Sequence, residues 1–371
     1  MEQFESHKTI KKRILFIITR GDLLGGAQIH VRDLCKRATL DGYECLVACG
    51  QEGMFTEMLK ALSIPYYIIS ALKRNIDPLQ DIRAIKQITK LIWQTKPDLI
   101  SCHTAKAGMV GRFAGFITGV PTIFTAHGWQ FAEGISSLQK IVVLAIEYIC
   151  AQLSKKIIVV SEYDYRLALV YHITSLKKLI LIHNGMPDLP YIPHKTIAQP
   201  ELVMIARFQE QKDHNTLFKA LALLKAEPWH CTLIGDGPLF DHYKQEAVQL
   251  GLDSRITFTG QITNVQDYLQ KSDIYLLISN WEGFPRSILE AMRATLPVIA
   301  SDVGGCKEAV IHEATGYIIP RGDVAQLKIA LQKLLQDSDL RKRMGNAGRI
   351  RFKTYFEFEQ MYKKTKAIWE S

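Results

Sequence analysis

Two carboxylates and two cations stand at spacings that suit a phosphorylated sugar. Glu282 and Glu290 lie eight residues apart in Ser279-Asn-Trp-Glu-Gly-Phe-Pro-Arg-Ser-Ile-Leu-Glu-Ala-Met292, and Arg207 and Lys212 lie five apart in Arg207-Phe-Gln-Glu-Gln-Lys212. An arginine offers a planar fork and a lysine a point charge, so the two can converge on one diphosphate. Of the carboxylates, one can accept hydrogen bonds from sugar hydroxyls and the other from the neighbouring hydroxyls of a ribose. Taken singly, each pair has a plainer reading as surface charge or as an acidic residue complementing a helix dipole. The elements around them shift that balance.

Residues 274–278, Ile-Tyr-Leu-Leu-Ile, are apolar without alternation, as in a strand buried on both faces of a parallel sheet. Pro285 falls where a helix begins, a position at which proline forfeits no intrahelical bond. The free N–H groups of Arg286 and Ser287 would then point from a helix N-terminus, which favours an anion such as phosphate. On this reading Glu282 lies in the loop before the helix and Glu290 about two turns inside it. Leu296-Pro-Val-Ile-Ala-Ser-Asp-Val-Gly-Gly-Cys-Lys-Glu308 reads as a strand, a glycine turn and another helix entry.

Earlier in the same half, Arg207 follows a strand over 201–206, and a helix starts near His214. A strand over 230–234 runs into the tight turn Gly235-Asp-Gly-Pro238. After the strand 256–260, residues Thr259 to Ile262 can offer backbone groups to a nucleotide base.

The first half opens with a buried strand over 13–18, a loop containing Gly25-Gly26, and a helical run over 28–40. These glycines permit close approach of backbone to a phosphate or sugar, although such a pair more often serves only the turn. No G-x-G-x-x-G accompanies them, so a dinucleotide cofactor is not indicated. Strands over 44–49, 66–69, 99–103, 122–125 and 157–160 and in the stretch 179–185 alternate with helical segments such as 79–95. That alternation predicts an α/β protein with parallel, doubly wound sheets whose ligands gather beyond the strand carboxyl ends. His103 and Lys106 follow one strand end, and His127-Gly128-Trp129 follows another. His103 and Lys106 are candidates for an acceptor phosphate, against a simpler reading as solvated residues.

A chain of 371 residues and 42.1 kDa suits two domains. We place the first at 1–186, a proline-bearing linker at 187–200, the second at 201–355, and a final aromatic-rich helical segment at 356–371. The seven cysteines show no C-x-x-C pair and read as reduced thiols. No secretory signal is read at the polar, basic N-terminus, and no stretch reaches a membrane span; the apolar run 141–153 reads as a buried or interfacial helix. The expected location is cytoplasmic. The net charge of +9 is uneven, with 23 Lys+Arg against 15 Asp+Glu in residues 1–185 and 23 against 22 in the rest. The basic half can attract an anionic membrane surface or a phosphorylated acceptor. No nucleic-acid-binding signature accompanies it.

The segment from Ser279 to Glu308 resembles the E-x7-E signature of retaining GT-B glycosyltransferases of family 4, and the resemblance extends from Gly25-Gly26 to the helices after Gly316. It implies two Rossmann-like domains facing a cleft, with the last helix crossing back to the first domain. It further implies a retaining hexosyltransferase whose Arg207 and Lys212 hold the donor diphosphate, whose Glu290 binds ribose, and whose Glu282 contacts the transferred sugar or orients the diphosphate. Gly26, Gly235, Ile262, Phe284, Arg286 and Ser287 complete the expected donor site. His127 matches a histidine-glycine pair of the family and is expected to touch the donor sugar or acceptor hydroxyl, with Gly25, His103 and Lys106 on the acceptor side. The co-substrate expected is a nucleotide-diphosphate sugar, with UDP the favoured nucleotide.

Neither a metal nor another cofactor is expected, because the one Asp-x-Asp spacing, Asp337-Ser-Asp339, reads as helix-end chemistry. His103-Thr-Ala-Lys-Ala-Gly108, Phe124-Thr-Ala-His-Gly-Trp129 and Phe284-Pro-Arg-Ser287 point to the bacterial capsule, exopolysaccharide and O-antigen subgroup. That subgroup implies a polyprenyl-diphosphate-linked saccharide as acceptor and peripheral association with the inner membrane face. A same-fold UDP-sugar epimerase, transfer to a soluble acceptor and a non-catalytic sugar binder stay open as alternatives.

Overall fold

A computed structural model describes residues 12–75, 77–190, 199–262 and 264–371, and the elements below are those of the described residues. The chain divides into two compact units, one of residues 1–182 with 364–371 and the other of residues 183–363.

The first unit opens with β1 (Arg13–Ile18), α1 (Gly26–Leu40), β2 (Glu44–Cys49), α2 (Met54–Ala61) and β3 (Tyr66–Ile68). It continues through α3 (Pro78–Thr95), β4 (Leu99–His103), α4 (Ala105–Thr118) and β5 (Thr122–Ala126). It closes with α5 (Ser137–Gln152), β6 (Lys156–Val159), α6 (Glu162–Val170) and β7 (Leu179–Leu181). Its strands pair in the order β3-β2-β1-β4-β5-β6-β7, all parallel. The order reverses between β1 and β4, the switch point at which an open parallel sheet leaves a crevice beyond its strand ends. Strands covered by helices on both faces must be apolar throughout, and β1, β4 and β5 are buried almost end to end.

The second unit runs β8 (Glu201–Ile205), α7 (His214–Ala222), β9 (His230–Ile234), α8 (Phe240–Gln249) and β10 (Ile256–Gly260). There follow α9 (Val265–Gln270), β11 (Ile274–Leu277), α10 (Arg286–Arg293), β12 (Val298–Ser301), α11 (Cys306–Ala309) and β13 (Gly316–Ile319). Three helices end the chain: α12 (Val324–Gln336), α13 (Ser338–Tyr355) and α14 (Phe358–Glu370). The sheet is again parallel, in the order β10-β9-β8-β11-β12-β13, with its switch point between β8 and β11. Asp337 caps α13, accepting from Leu340 N at 2.8 Å, so the Asp-x-Asp spacing is helix-end chemistry.

The boundary between units falls after Ile182, four residues before the expected one. Backbone pairing explains the shift. Met186 N donates to Phe356 O at 3.0 Å, Phe358 N donates to Met186 O at 3.0 Å, and Asn184 Nδ2 donates to Phe284 O at 3.0 Å, which tie residues 184–186 to the second unit. Of the expected closing segment, residues 356–363 belong to the second unit, while the last eight pack with the first. There Trp369 is buried edge-on against Phe16 and Tyr43. The expected linker falls partly outside the described residues, since 191–198 are not among them.

Candidate active site

In the second unit the loop after β8 is laced to the loop after β11. Asp213 N donates to Ile278 O at 2.9 Å, Asn280 N to Gln211 O at 2.8 Å and Gln211 Nε2 to Trp281 O at 2.9 Å. This lacing carries Lys212 onto Glu282, and the two side chains form an ion pair in which both are largely buried. Ser279 Oγ donates to the same carboxylate oxygen at 2.7 Å. From the other side, Gly304 sits with φ +52°, and a Cβ there would lie 2.1 Å from the carbonyl oxygen of Glu282. Gly305 N also donates to Gly283 O at 2.7 Å. The glycine pair thus lets two backbones touch, fixing where Glu282 stands.

Arg207 differs from Lys212. It is exposed, and among the described residues its side chain makes no hydrogen bond or ion pair, so its guanidinium is available to an anion. Gly235 has φ +146° and a Cβ there would lie 2.1 Å from Ala206 O, so glycine is required where this turn crosses the residue before Arg207. Gly235 N donates to Gly260 O at 3.0 Å, which sets that turn against the one leading to the half-buried Ile262.

Helix α10 begins at Arg286, with Pro285 extended at φ −72°, ψ 117° as the residue before it. Two expectations change in consequence. Pro285 caps the helix from outside rather than lying in its first turn, and Glu290 stands about one turn inside rather than two. The N–H groups of Arg286 and Ser287 are still the first of the helix, where intrahelical acceptors are missing. The Arg286 side chain is buried and donates to Gly185 O at 3.0 Å, so it braces the start of the unit instead of reaching a ligand. Phe284, expected to meet the donor, is buried between His183 and Phe356 at ring separations of 5.0 and 5.5 Å. Beneath the helix, burial above all, with smaller contributions from the charges of Glu290 and Glu282, pushes the Tyr275 hydroxyl far up from its usual value.

In the first unit a second constellation gathers at the ends of β4 and β5 and on α1. Gly25 caps α1 and Gly26 is exposed at its first position; one turn on, His30 packs its ring against His103 and His127 with centroids 5.5 and 4.9 Å apart. His103 Nδ1 lies 3.1 Å from His127 Nε2, and His103 Nε2 lies 3.0 Å from Ser101 Oγ. His127 is half-buried in a loop that Gly128 turns at φ +122°. Asp164 clamps the next residue: Trp129 N donates to Asp164 Oδ1 at 3.1 Å and Trp129 Nε1 to Asp164 O at 2.8 Å.

Direct contact with an acceptor phosphate is not open to His103. It is wholly buried, and burial first and His127 second hold its pKa well below the usual value, so the ring is neutral. Lys106 is also committed, its Nζ lying 2.7 Å from both carboxylate oxygens of Asp81. Among the described residues, His30, His103 and His127 are the set whose nitrogens lie close enough for one metal ion, within 4.8 Å of one another. The 5.4 Å between the His103 and His127 centroids nearly equals their nitrogen separation plus the two ring radii. Their lone-pair directions therefore meet head-on, as in a hydrogen bond, rather than at a common third point.

Residues 24–188 match the family model described as Glycosyltransferase Family 4, and residues 194–351 match the one described as Glycosyl transferases group 1. The chain belongs to the family 4 glycosyltransferases. It is similar to the Escherichia coli UDP-Gal:alpha-D-GlcNAc-diphosphoundecaprenol alpha-1,3-galactosyltransferase, 26% identical over 82% of this chain and 85% of the relative. It is equally similar, at 26% identity over 83% of this chain and 86% of the relative, to the Escherichia coli O-antigen biosynthesis glycosyltransferase WbnH. Its fold matches that of Anabaena HepE, solved with UDP and glucose, at a TM-score of 0.82 and 20% identity over 97% of this chain and all of that one.

As a family 4 glycosyltransferase the chain is an enzyme, and its parallel sheets of seven and six strands are the two Rossmann-like domains of the GT-B class. Four contributors to the two candidate constellations escaped the sequence reading: His30 and Ser101 in the first unit, and in the second Ser279 and the Gly304-Gly305 turn as a support for Glu282. Ser101 was within reach of it, since residues two apart on a strand share a face and Ser101 stands two before His103. His30 depends on contacts across elements, which spacing does not encode, whereas Ser279 stands only three residues before Glu282 in the same loop.

Proposed function

We propose that this glycosyltransferase moves a hexose or N-acetylhexosamine from a UDP-sugar to a polyprenyl-diphosphate-linked saccharide, with retention and without a metal. The observation that carries the reading is the exposed Arg207, free of any carboxylate among the described residues, beside a Lys212 already fixed on Glu282. As the bond from the sugar's anomeric carbon to the diphosphate breaks, positive charge grows on the ring and negative charge on the leaving phosphate. Arg207, Lys212 and the first N–H groups of α10 meet that negative charge, a stabilisation that needs no ion. The acceptor oxygen bonds the anomeric carbon on the face the diphosphate leaves, and its proton passes to the departing phosphate oxygen. Glu290 takes the ribose hydroxyls, and His127 contacts the sugar or the acceptor.

The E. coli relative named above acts on a diphosphoundecaprenol-linked acceptor, which supports a lipid-linked one here. The surface of the first unit supports peripheral contact with an anionic membrane. Helix α5 turns Val143 and Glu147 inward and leaves Leu138, Ile141, Val142, Tyr148 and Ile149 exposed, with Leu138 at 74% and Ile141 at 65%. Among the described residues no helix is long and apolar enough to cross a membrane.

The experiment is a panel of UDP-, GDP- and ADP-sugars incubated with and without a lipid-linked saccharide extract, the product linkage being read by NMR. Transfer from a UDP-sugar to the lipid fraction with the donor's anomeric configuration kept is the expected result. Transfer to a soluble sugar alone, epimerised donor without transfer, or an inverted product would overturn the corresponding part.

A further inference from the structure

We infer that Ser101 and His103 act as positioning residues that hold His127 in its Nδ1–H form, so that His127 serves the substrate as a hydrogen-bond donor and not as a base. This deepens the proposed function and rests on its reading that His127 meets the substrate.

Ser101 and His103 stand two apart, share one face of β4 and are both buried, and the His103 ring lies against Phe16 at a centroid separation of 6.0 Å. His103 reaches Ser101 through Nε2 at 3.0 Å and His127 through Nδ1 at 3.1 Å. A neutral imidazole has one N–H and one bare nitrogen, so this chain of three groups has only two proton arrangements. In the first, Ser101 donates to His103 Nε2, His103 Nδ1–H donates to His127 Nε2, and the proton of His127 sits on Nδ1. In the second every bond reverses, and His127 Nδ1 is bare.

The serine decides between them. A hydroxyl always carries a proton, and a buried one must give it to an acceptor, whereas an unfilled lone pair is the smaller loss. Among the described residues the only hydrogen bond of Ser101 Oγ is to His103 Nε2. The reversed arrangement would leave the buried hydroxyl proton with no acceptor. Its burial keeps His103 neutral, which preserves the one-proton count on which the argument turns. The ring of His30 closes on both histidines and is a further titratable group at this cluster among the described residues.

With Nε2 occupied and Nδ1 protonated, His127 has no lone pair to offer. It can donate to a sugar or acceptor oxygen and cannot remove the acceptor's proton, which agrees with that proton travelling to the leaving diphosphate.

The test uses the full chain carrying 15N-histidine, treated with EDTA, with His127 assigned by difference from His127→Gln. Two-bond 1H–15N correlations report which nitrogen carries the proton. The expected spectrum shows Nδ1–H for His127 in the wild type and in Ser101→Thr, and a mixture of tautomers in Ser101→Ala. Turnover should fall about fivefold in Ser101→Ala with little change in donor KM and recover in Ser101→Thr, the size of one net hydrogen bond. An Nε2–H tautomer in the wild type, or a tautomer unmoved by Ser101→Ala, would overturn the inference whatever the activity. An Nδ1–H tautomer alongside undiminished transfer by His127→Gln would instead remove the substrate contact on which it rests.

Discussion

At the scale of single residues, the Lys212–Glu282 pair couples stability to chemistry. Both side chains are largely buried, so removing either leaves an uncompensated charge, whereas removing both does not. Lys212→Met or Glu282→Gln alone should lower unfolding stability by about 3 kcal/mol. The double variant should regain most of that loss while remaining inactive, and denaturant unfolding beside a transfer assay checks both halves. A full additive loss in the double variant would show that the two residues do not pair. His214, stacked on Phe208 at 4.3 Å, supplies a pH dependence. Burial lowers its pKa from 6.5 to about 4, so the fold favours the neutral ring. The contribution is present above pH 6.5 and is lost as pH falls toward 4, by about 3 kcal/mol in all. His214→Phe should flatten the stability profile across that window, as read by melting at successive pH values.

At the scale of elements, the candidate catalytic groups stand on loops whose positions depend on close backbone approach. Gly304→Ala would drive a Cβ into the Glu282 carbonyl at 2.1 Å and strain a left-handed residue. It should cost about 2 kcal/mol and lower transfer, while Gly322→Ala, strained at φ +73° but with a Cβ that meets nothing within 4 Å, should leave transfer intact. Thermal melts with matched activity assays compare the two. The strands carrying these loops were legible in the sequence, because unbroken apolar runs such as 99–103 and 274–278 have no other home than a sheet covered on both faces. Their ends also showed where polar residues would collect. The start of α10 was read one residue early because proline suits both the cap and the first turn, and ψ alone separates the two. Nor could spacing reveal that Phe284 turns into the core, that Lys106 is met by Asp81 on α3, or that His103 is sealed beneath His127. Each of those outcomes is decided by a partner from a distant element.

At the scale of the whole molecule, the division into two units of similar size and parallel topology was readable from strand–helix alternation. The boundary was not, because it is set by the pairing of residues 184–186 with residues 284 and 356–358. The basic surplus of the first half, together with the apolar residues that α5 exposes, leads to a prediction about membranes. Ile141→Glu with Leu138→Glu should weaken sedimentation with anionic vesicles at least several-fold. Transfer to a short-chain, water-dispersed acceptor should be unaffected, and vesicle binding equal to wild type would remove α5 from the membrane-facing surface.

On the proposed function, protein cations and not a metal ion stabilise the departing nucleotide. The measurement that tests this most directly is UDP release in excess EDTA, from a UDP-sugar and lipid-linked acceptor, by wild type and by Arg207→Ala. Full wild-type release in EDTA and a loss of about a hundredfold in the variant are expected, the usual size for one donor to developing charge. Release abolished by EDTA and restored by a divalent ion, or undiminished in Arg207→Ala, would contradict that reading.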